Sequence, residues 1–133
     1  MDTADARFGG IARLYGKEGL VKLRAAHVAV IGVGGVGSWS AEALARSGIG
    51  KLTLVDLDEV CITNTNRQIH ALEGSINKAK VNELALRIHR INPDCTVYAR
   101  VRNFSHHKLL IAFSVVALIT SLIPSTASPI NAC

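Results

Sequence analysis

His27-Val28-Ala29-Val30-Ile31-Gly32-Val33-Gly34-Gly35-Val36-Gly37-Ser38 joins an apolar strand pattern to a glycine-rich turn and the start of a helix. Gly32, Gly34 and Gly37 fit G-x-G-x-x-G. The first allows a tight turn, the second lets the backbone approach a phosphate, and the third lets the helix pack closely on the strand. N–H groups in a helix's first turn have no intrahelical partner, so they can face an anion. The continuous apolar character of Val28 to Ile31 suits a parallel strand covered on both faces. A helical pattern then runs from Ser38 to Ser47, and Gly48 is placed for the left-handed C-terminal cap. The stretch reads as a nucleotide-binding turn, with a purely structural glycine turn as the alternative.

Downstream, Lys51 to Asp56 predicts a second strand, with Leu52, Leu54 and Val55 as its apolar side chains. Val81, Leu84, Ala85 and Ile88 fall at i, i+3, i+4 and i+7, which predicts a helix from Lys78 to about Asn92-Pro93. Thr96 to Val101 is a third strand. The order β-α-β-α-β implies an α/β fold with a right-handed, Rossmann-like parallel sheet and ligands at the carboxyl ends of its strands. Upstream, residues 7–26 read as an amphipathic helical arm, with Leu14, Leu20, Val21 and Leu23 for a core and Lys17, Lys22 and Arg24 for solvent.

After about Asn103 the composition changes. No Asp or Glu follows Asp94, and Leu109 to Ile123 is apolar except for Ser114, Thr120 and Ser121. A doubly wound domain calls for another amphipathic helix and a strand with a polar end here, and neither pattern is visible. The run is short of the roughly 20 apolar residues of a membrane-spanning helix. An aberrant or frame-shifted end, a buried element and a membrane-associated segment remain open readings. Pro124, Ser125, Thr126, Ser128 and Pro129 read as a disordered end.

A chain of 133 residues is enough for one domain with a real core. Its net charge of +5, from 15 Lys and Arg against 10 Asp and Glu, permits an anionic partner such as ATP or RNA, although no run of consecutive basic residues occurs. Cys61, Cys95 and Cys133 share no C-x-x-C spacing, which argues against zinc and for a reducing, cytoplasmic compartment. The alternative location is a membrane reached through residues 109–123. Met1 to Arg13 carries charges and no apolar core region, which argues against a secretory signal.

The residues around the turn narrow the chemistry. Asp56, at the carboxyl end of the second strand, can accept hydrogen bonds from ribose hydroxyls, or it can simply cap the next turn. Asp58 and Glu59 follow it closely, and three such carboxylates could hold Mg²⁺ beside a triphosphate. Thr63-Asn64-Thr65-Asn66-Arg67-Gln68 separates the readings. A nicotinamide-dependent oxidoreductase needs no cation here, whereas attack at the α-phosphorus of ATP does. Arg67 could clamp phosphate oxygens, Asn64 could donate to another oxygen or help place a metal, and Lys80 could neutralise charge on leaving pyrophosphate. The plainer alternative makes Asn64 and Asn66 turn residues and leaves Arg67 and Lys80 solvated. Cys61 reads as a packing residue, and His70, His89, His106 and His107 show no metal spacing.

Gly-Val-Gly-Gly-Val-Gly at 32–37, Leu-Val-Asp-Leu-Asp at 54–58, Asn64 with Asn66-Arg67-Gln68, and Lys78-Ala79-Lys80 together resemble the ThiF/MoeB/HesA family of ubiquitin-activating-type adenylyltransferases. Arg7-Phe8-Gly9-Gly10, Arg13-Leu14-Tyr15-Gly16, Gly37-Ser38-Trp39, Ala41 to Arg46 and Thr63 to Ala71 resemble the branch that dehydrates threonylcarbamoyladenosine in tRNA. This resemblance covers roughly residues 7–103. It implies an ATP-dependent enzyme that activates a carboxylate on tRNA as an acyl-adenylate, which is then captured intramolecularly with net loss of water. It implies ATP and Mg²⁺ as cofactors, a phosphate cradle at Gly32, Gly34, Gly35 and Gly37, ribose at Asp56, and Asp58, Asn64 and Arg67 near the triphosphate. Lys80 matches the family's catalytic lysine, and Arg7 matches an arginine that reaches into the partner subunit of a homodimer. A sulfur-transfer or cysteine-desulfurase partner is a further implication. Action on a ubiquitin-like sulfur carrier, and nucleotide binding without catalysis, are the alternatives.

Pattern, composition and resemblance together divide the chain into a helical arm at 1–26, an incomplete ATP-binding domain at 27–103 forming the N-terminal half of a ThiF-type fold, and an atypical apolar tail at 104–133, for which a frame-shifted end is one reading. The family supplies a later aspartate for Mg²⁺, and no acidic residue follows Asp94 here. The expectation is therefore a truncated and impaired member.

Overall fold

The computed structural model describes residues 3–102. Its elements are α1 (Thr3–Ala25), β1 (His27–Ile31), α2 (Gly37–Arg46), β2 (Lys51–Asp56), a short 3₁₀ turn (Ile62–Asn64), α3 (Lys80–Ile91) and β3 (Thr96–Val101). The strands lie in the order β1-β2-β3, all parallel, with Val30 beside Leu54 and Leu54 beside Ala99. The β-α-β-α-β order expected from the periodicity is the order found.

Both crossovers step the same way across the sheet, so their common handedness puts α2 and α3 on one face. Val30, Leu52 and Leu54 there meet Ala41 and Ala45 of α2 and Val81, Leu84 and Ile88 of α3 in a single buried cluster. Alternation sends the neighbouring residues of each strand to the opposite face. That face carries His27, Thr53, Tyr98 and Arg100: the His27 Nε2 lies 2.8 Å from Thr53 Oγ1, and the Arg100 guanidinium sits over the Tyr98 ring. The expectation that β1 is covered on both faces is not met among the described residues, because Ile31 and Tyr98 remain over a third exposed.

Two polar ties lock the helices. Glu42 of α2, nearly buried, accepts from Arg46 one turn on and from Arg87 of α3. Burial alone would raise its carboxyl pKa, but the two guanidinium groups outweigh that and hold it below its ordinary value. At the far end of α3, Asn92 donates from Nδ2 to the Ile49 carbonyl at 3.0 Å. Helix α2 closes on Gly48 at φ +83, where the Gly48 and Ile49 amides donate back to Ala45 and Leu44. This is the left-handed cap expected from the sequence.

Helix α1 departs from a single amphipathic arm. Phe8 and Gly16 have non-helical dihedrals, and Gly16, at φ 79, breaks the periodicity. Leu20 is buried and Leu23 packs on the core, as expected, but Leu14 and Val21 are exposed. Phe8 takes the place read for Leu14, buried against the turn at Gly48. The tail at 104–133, with its apolar run and His106 and His107, lies outside the described residues. Among those described, no helix is long and apolar enough to cross a membrane.

Candidate nucleotide-phosphate site

At the carboxyl end of β1, Gly32 adopts φ +81 and its amide donates to the Val55 carbonyl at 2.8 Å, carrying the β1–β2 ladder into the turn. A Cβ on Gly37 would run into the Gly32 carbonyl, so the third glycine of the motif is required by close approach. Between them the backbone is held by its carbonyls. Val33 O accepts from His70 Nε2 at 2.7 Å, and Gly34 O accepts from the backbone N–H and the hydroxyl of Ser38. The Val33 amide donates to Asp56 Oδ2 at 2.8 Å.

The amides of Gly34, Gly35, Val36 and Gly37 then remain. None donates to any group among the described residues. Helix α2 starts at Gly37 without a side-chain cap, so the four bare N–H groups lie at or just before the positive end of its dipole. A phosphate oxygen is the ligand such a turn accepts.

Arg67 flanks this spot: its Cγ and Cδ lie 3.5 Å from where a Cβ of Gly35 would stand. Its guanidinium donates to Thr63 O and Asn66 Oδ1. Its own carbonyl accepts from Trp39 Nε1 at 2.8 Å, which ties the segment to α2. Asn64 is buried and its Oδ1 accepts from the Cys61 amide at 3.0 Å, so only Nδ2 is left to meet a ligand oxygen. The turn-forming role weighed for Asn64 is therefore real.

Lys80 reaches the site through chain pairing. Residues 58–60 run beside 77–80, with Val60 donating to Lys78 and Lys80 donating to Asp58 through the backbone. The Lys80 side chain is 8% exposed, and its Nζ contacts Asp58 Oδ2 at 3.0 Å while Asp58 stays 69% exposed. An almost buried ammonium thus faces a carboxylate that solvent can reach. An anionic ligand can replace that partner without leaving a buried charge unpaired.

Asp56 is half-buried and both its carboxylate oxygens accept backbone amides, those of Val33 and Asp58. Its first role is to fasten β2 to the glycine turn, and its remaining lone pairs are what a ribose hydroxyl could use. No group of three or more His, Cys, Asp or Glu side chains among the described residues could hold a metal. With Asp56 engaged by amides and Asp58 by Lys80, the described residues do not by themselves form a Mg²⁺ site.

Arg7 stands apart. Its Nη1 donates to the Ile91 carbonyl at 2.9 Å, at the end of α3 remote from Lys80. The 12 residues of that helix span about 18 Å. Cys61 is half-buried with its Sγ 3.2 Å from Thr63 Oγ1, and burial raises the thiol pKa of Cys95.

Ser38, Trp39 and His70 are the residues whose roles the spacing did not reveal. His70 is 2% exposed, and desolvation by burial lowers its imidazole pKa, so the ring is neutral at pH 7. A single histidine between Ile69 and Ala71 carries no periodic or ligand-spacing signal.

Comparison with known proteins places these features together. The ThiF family pattern matches residues 9–128, past Asn103, where the motif-by-motif resemblance stops. The tRNA threonylcarbamoyladenosine dehydratase of Haemophilus influenzae is 57% identical over 97 residues, covering 73% of this chain and 37% of that protein. The Escherichia coli protein of the same name is 60% identical over 96 residues, 72% of this chain and 36% of its own length. The crystal structure of the E. coli enzyme, TcdA, in complex with ATP superposes with a TM-score of 0.81 at 50% identity, covering 86% of this chain and 47% of that one. This chain thus spans a little over a third of the length of the curated relatives it matches.

Proposed function

This chain belongs to the ThiF family, and we propose that it supplies the ATP-phosphate half of an adenylate-forming site that dehydrates threonylcarbamoyladenosine in tRNA. In that reaction a carboxylate oxygen attacks the α-phosphorus of ATP and the bond to pyrophosphate breaks. An intramolecular nucleophile then attacks the acyl carbon and AMP leaves. The observation that carries the reading is the set of four unpartnered amides at Gly34–Gly37, with Arg67 beside them and the Lys80 ammonium nearby. Bare amides and Arg67 hold phosphate oxygens, and Lys80, released from Asp58, neutralises the charge that builds on leaving pyrophosphate. Asp56 keeps the turn in place and offers lone pairs to ribose. Similarity to dehydratases from two bacteria, and to a solved relative in complex with ATP, supports ATP and tRNA as substrates.

Arg7 lies at the opposite end of α3, so any part it plays at a nucleotide is in the site of another subunit, which makes a homodimer part of the proposal. A second reading, nucleotide binding without chemistry, needs only the bare amides and leaves Lys80 on Asp58. The test is incubation of the full chain with ATP and tRNA bearing threonylcarbamoyladenosine, with Lys80→Ala as control. Cyclised nucleoside and AMP that depend on Lys80 support dehydration. ATP binding without AMP supports the second reading, and NAD binding in preference to ATP, unaffected by Arg67→Ala, contradicts both.

A further inference from the structure

We infer that His70 is a positioning residue that keeps the phosphate-facing amides of the glycine turn bare. This rests on the phosphate reading of Gly34–Gly37. Val33 O can only accept, so the proton must be on His70 Nε2, and that bond pulls the carbonyl toward the buried ring. A trans peptide sets its N–H opposite its C=O. Drawing the Val33 carbonyl inward therefore turns the Gly34 N–H outward, toward the spot where α2 begins. Ser38 does the same one residue later by holding the Gly34 carbonyl, which turns out the Gly35 amide.

His70 also governs where α2 starts. Gly37 is its first residue, and four positions back is Val33. In an unopposed helix the Gly37 amide would donate to the Val33 carbonyl. Here that carbonyl is turned toward the His70 ring, and the Gly37 amide donates to no group among the described residues. Without the imidazole, α2 can wind back by one residue, consume the Gly37 amide and swing the Gly34 peptide. A histidine that merely filled space would not face this choice. The ring is neutral, because burial lowers its pKa despite the Val33 hydrogen bond and the nearby carboxylates of Asp56 and Glu83, with Lys80 opposing protonation as well. Its Nδ1 is buried without a partner, consistent with the tautomer that Val33 requires.

The test uses the full chain, with Trp39, the only tryptophan, as the fluorescent reporter at α2. ATP and inorganic tripolyphosphate should each bind about tenfold more weakly to His70→Leu, the effect of losing a buried hydrogen bond that orients a charged contact. Adenosine binding should not change. His70→Gln, whose amide can reach the same carbonyl, should stay within about twofold of wild type, whereas the shorter His70→Asn should behave like His70→Leu. Folded His70→Leu or His70→Asn that binds tripolyphosphate as wild type does would overturn the inference, as would equal weakening for adenosine. Should the variants not fold, ¹⁵N shifts of the wild-type ring decide: protonation at Nε2 supports the inference and protonation at Nδ1 overturns it. Wild-type binding of ATP tests the preceding proposal, and only the ratio between variants tests His70. A wild-type chain that binds no phosphate overturns both.

Discussion

Two turns in this protein are built on a glycine with nearly the same backbone angle, Gly32 at φ +81 and Gly48 at φ +83, yet they end opposite kinds of segment. At Gly48 the amides of Ser47, Gly48, Ile49 and Gly50 donate to carbonyls of Ala43, Ala45, Leu44 and Leu23. Every donor is used, and the turn is complete in itself. At Gly32 the carbonyls of Val33 and Gly34 are held, while the next four amides are left without acceptors. An amide that the chain leaves without an acceptor is open to water or to a ligand. The glycine pattern makes a turn possible in both places; the distribution of hydrogen bonds tells which one keeps donors for a ligand.

The contrast is broken most severely by Gly37→Ala. The new Cβ collides with the Gly32 carbonyl backbone, so the turn must open or the fold must give, at about 3 kcal/mol or more. Chemical denaturation should show that loss, and ATP binding should be lost with it. Glu42→Gln should cost about 1–3 kcal/mol by leaving Arg46 and Arg87 without their shared carboxylate, discounted for their partial exposure. Because Glu42 bonds Arg46 and Arg87 and none of the four amides, the folded fraction should bind ATP unchanged. Gly48→Ala sharpens the comparison: a side chain at φ +83, close to Leu20 and Phe8, should cost about 1–2 kcal/mol of stability. Its ATP affinity should equal wild type, since that turn has no free donors.

The smallest expected effect is a pH dependence. Burial lowers the imidazole pKa of His70, so the unfolded chain binds a proton the folded chain resists. Stability should be full above the ordinary value of 6.5 and fall as pH drops below it, with a slope that His70→Gln removes. Glu42 adds a separate loss at lower pH. Its folded pKa is depressed, so its contribution holds above 4.5 and disappears as pH falls through the folded value. Urea midpoints across this range, in wild type and His70→Gln, would show whether the two losses separate.

Periodicity was enough for the sheet and for α2 and α3, because each buries one continuous face and nothing local contradicts the pattern. It failed in α1, where Gly16 turns the chain and leaves Leu14 and Val21 exposed while Phe8 goes inside. The apolar run of β1 suggests two covered faces, and among the described residues α2 and α3 cover one. The turn geometry of Gly32 and Gly37 was legible from spacing, and Asp56, Arg67 and Lys80 stood out by residue type, their roles at a ligand belonging to the proposal. What the sequence could not show was division of labour: Asp56 fastens the turn with both oxygens, Asn64 spends its carbonyl on Cys61, and Lys80 rests on Asp58. His70 was invisible because its function depends on one carbonyl 37 positions away in the chain.

The central claim is that the turn at 32–37 presents unpaired amides to the phosphates of ATP and that the turn at Gly48 does not. Amide ¹H–¹⁵N spectra of the full chain titrated with ATP test it directly. The account predicts saturable shifts of Gly34, Gly35, Val36 and Gly37 with Ser47, Gly48, Ile49 and Gly50 unmoved. Shifts confined to the Gly48 turn, or none at either, would contradict it.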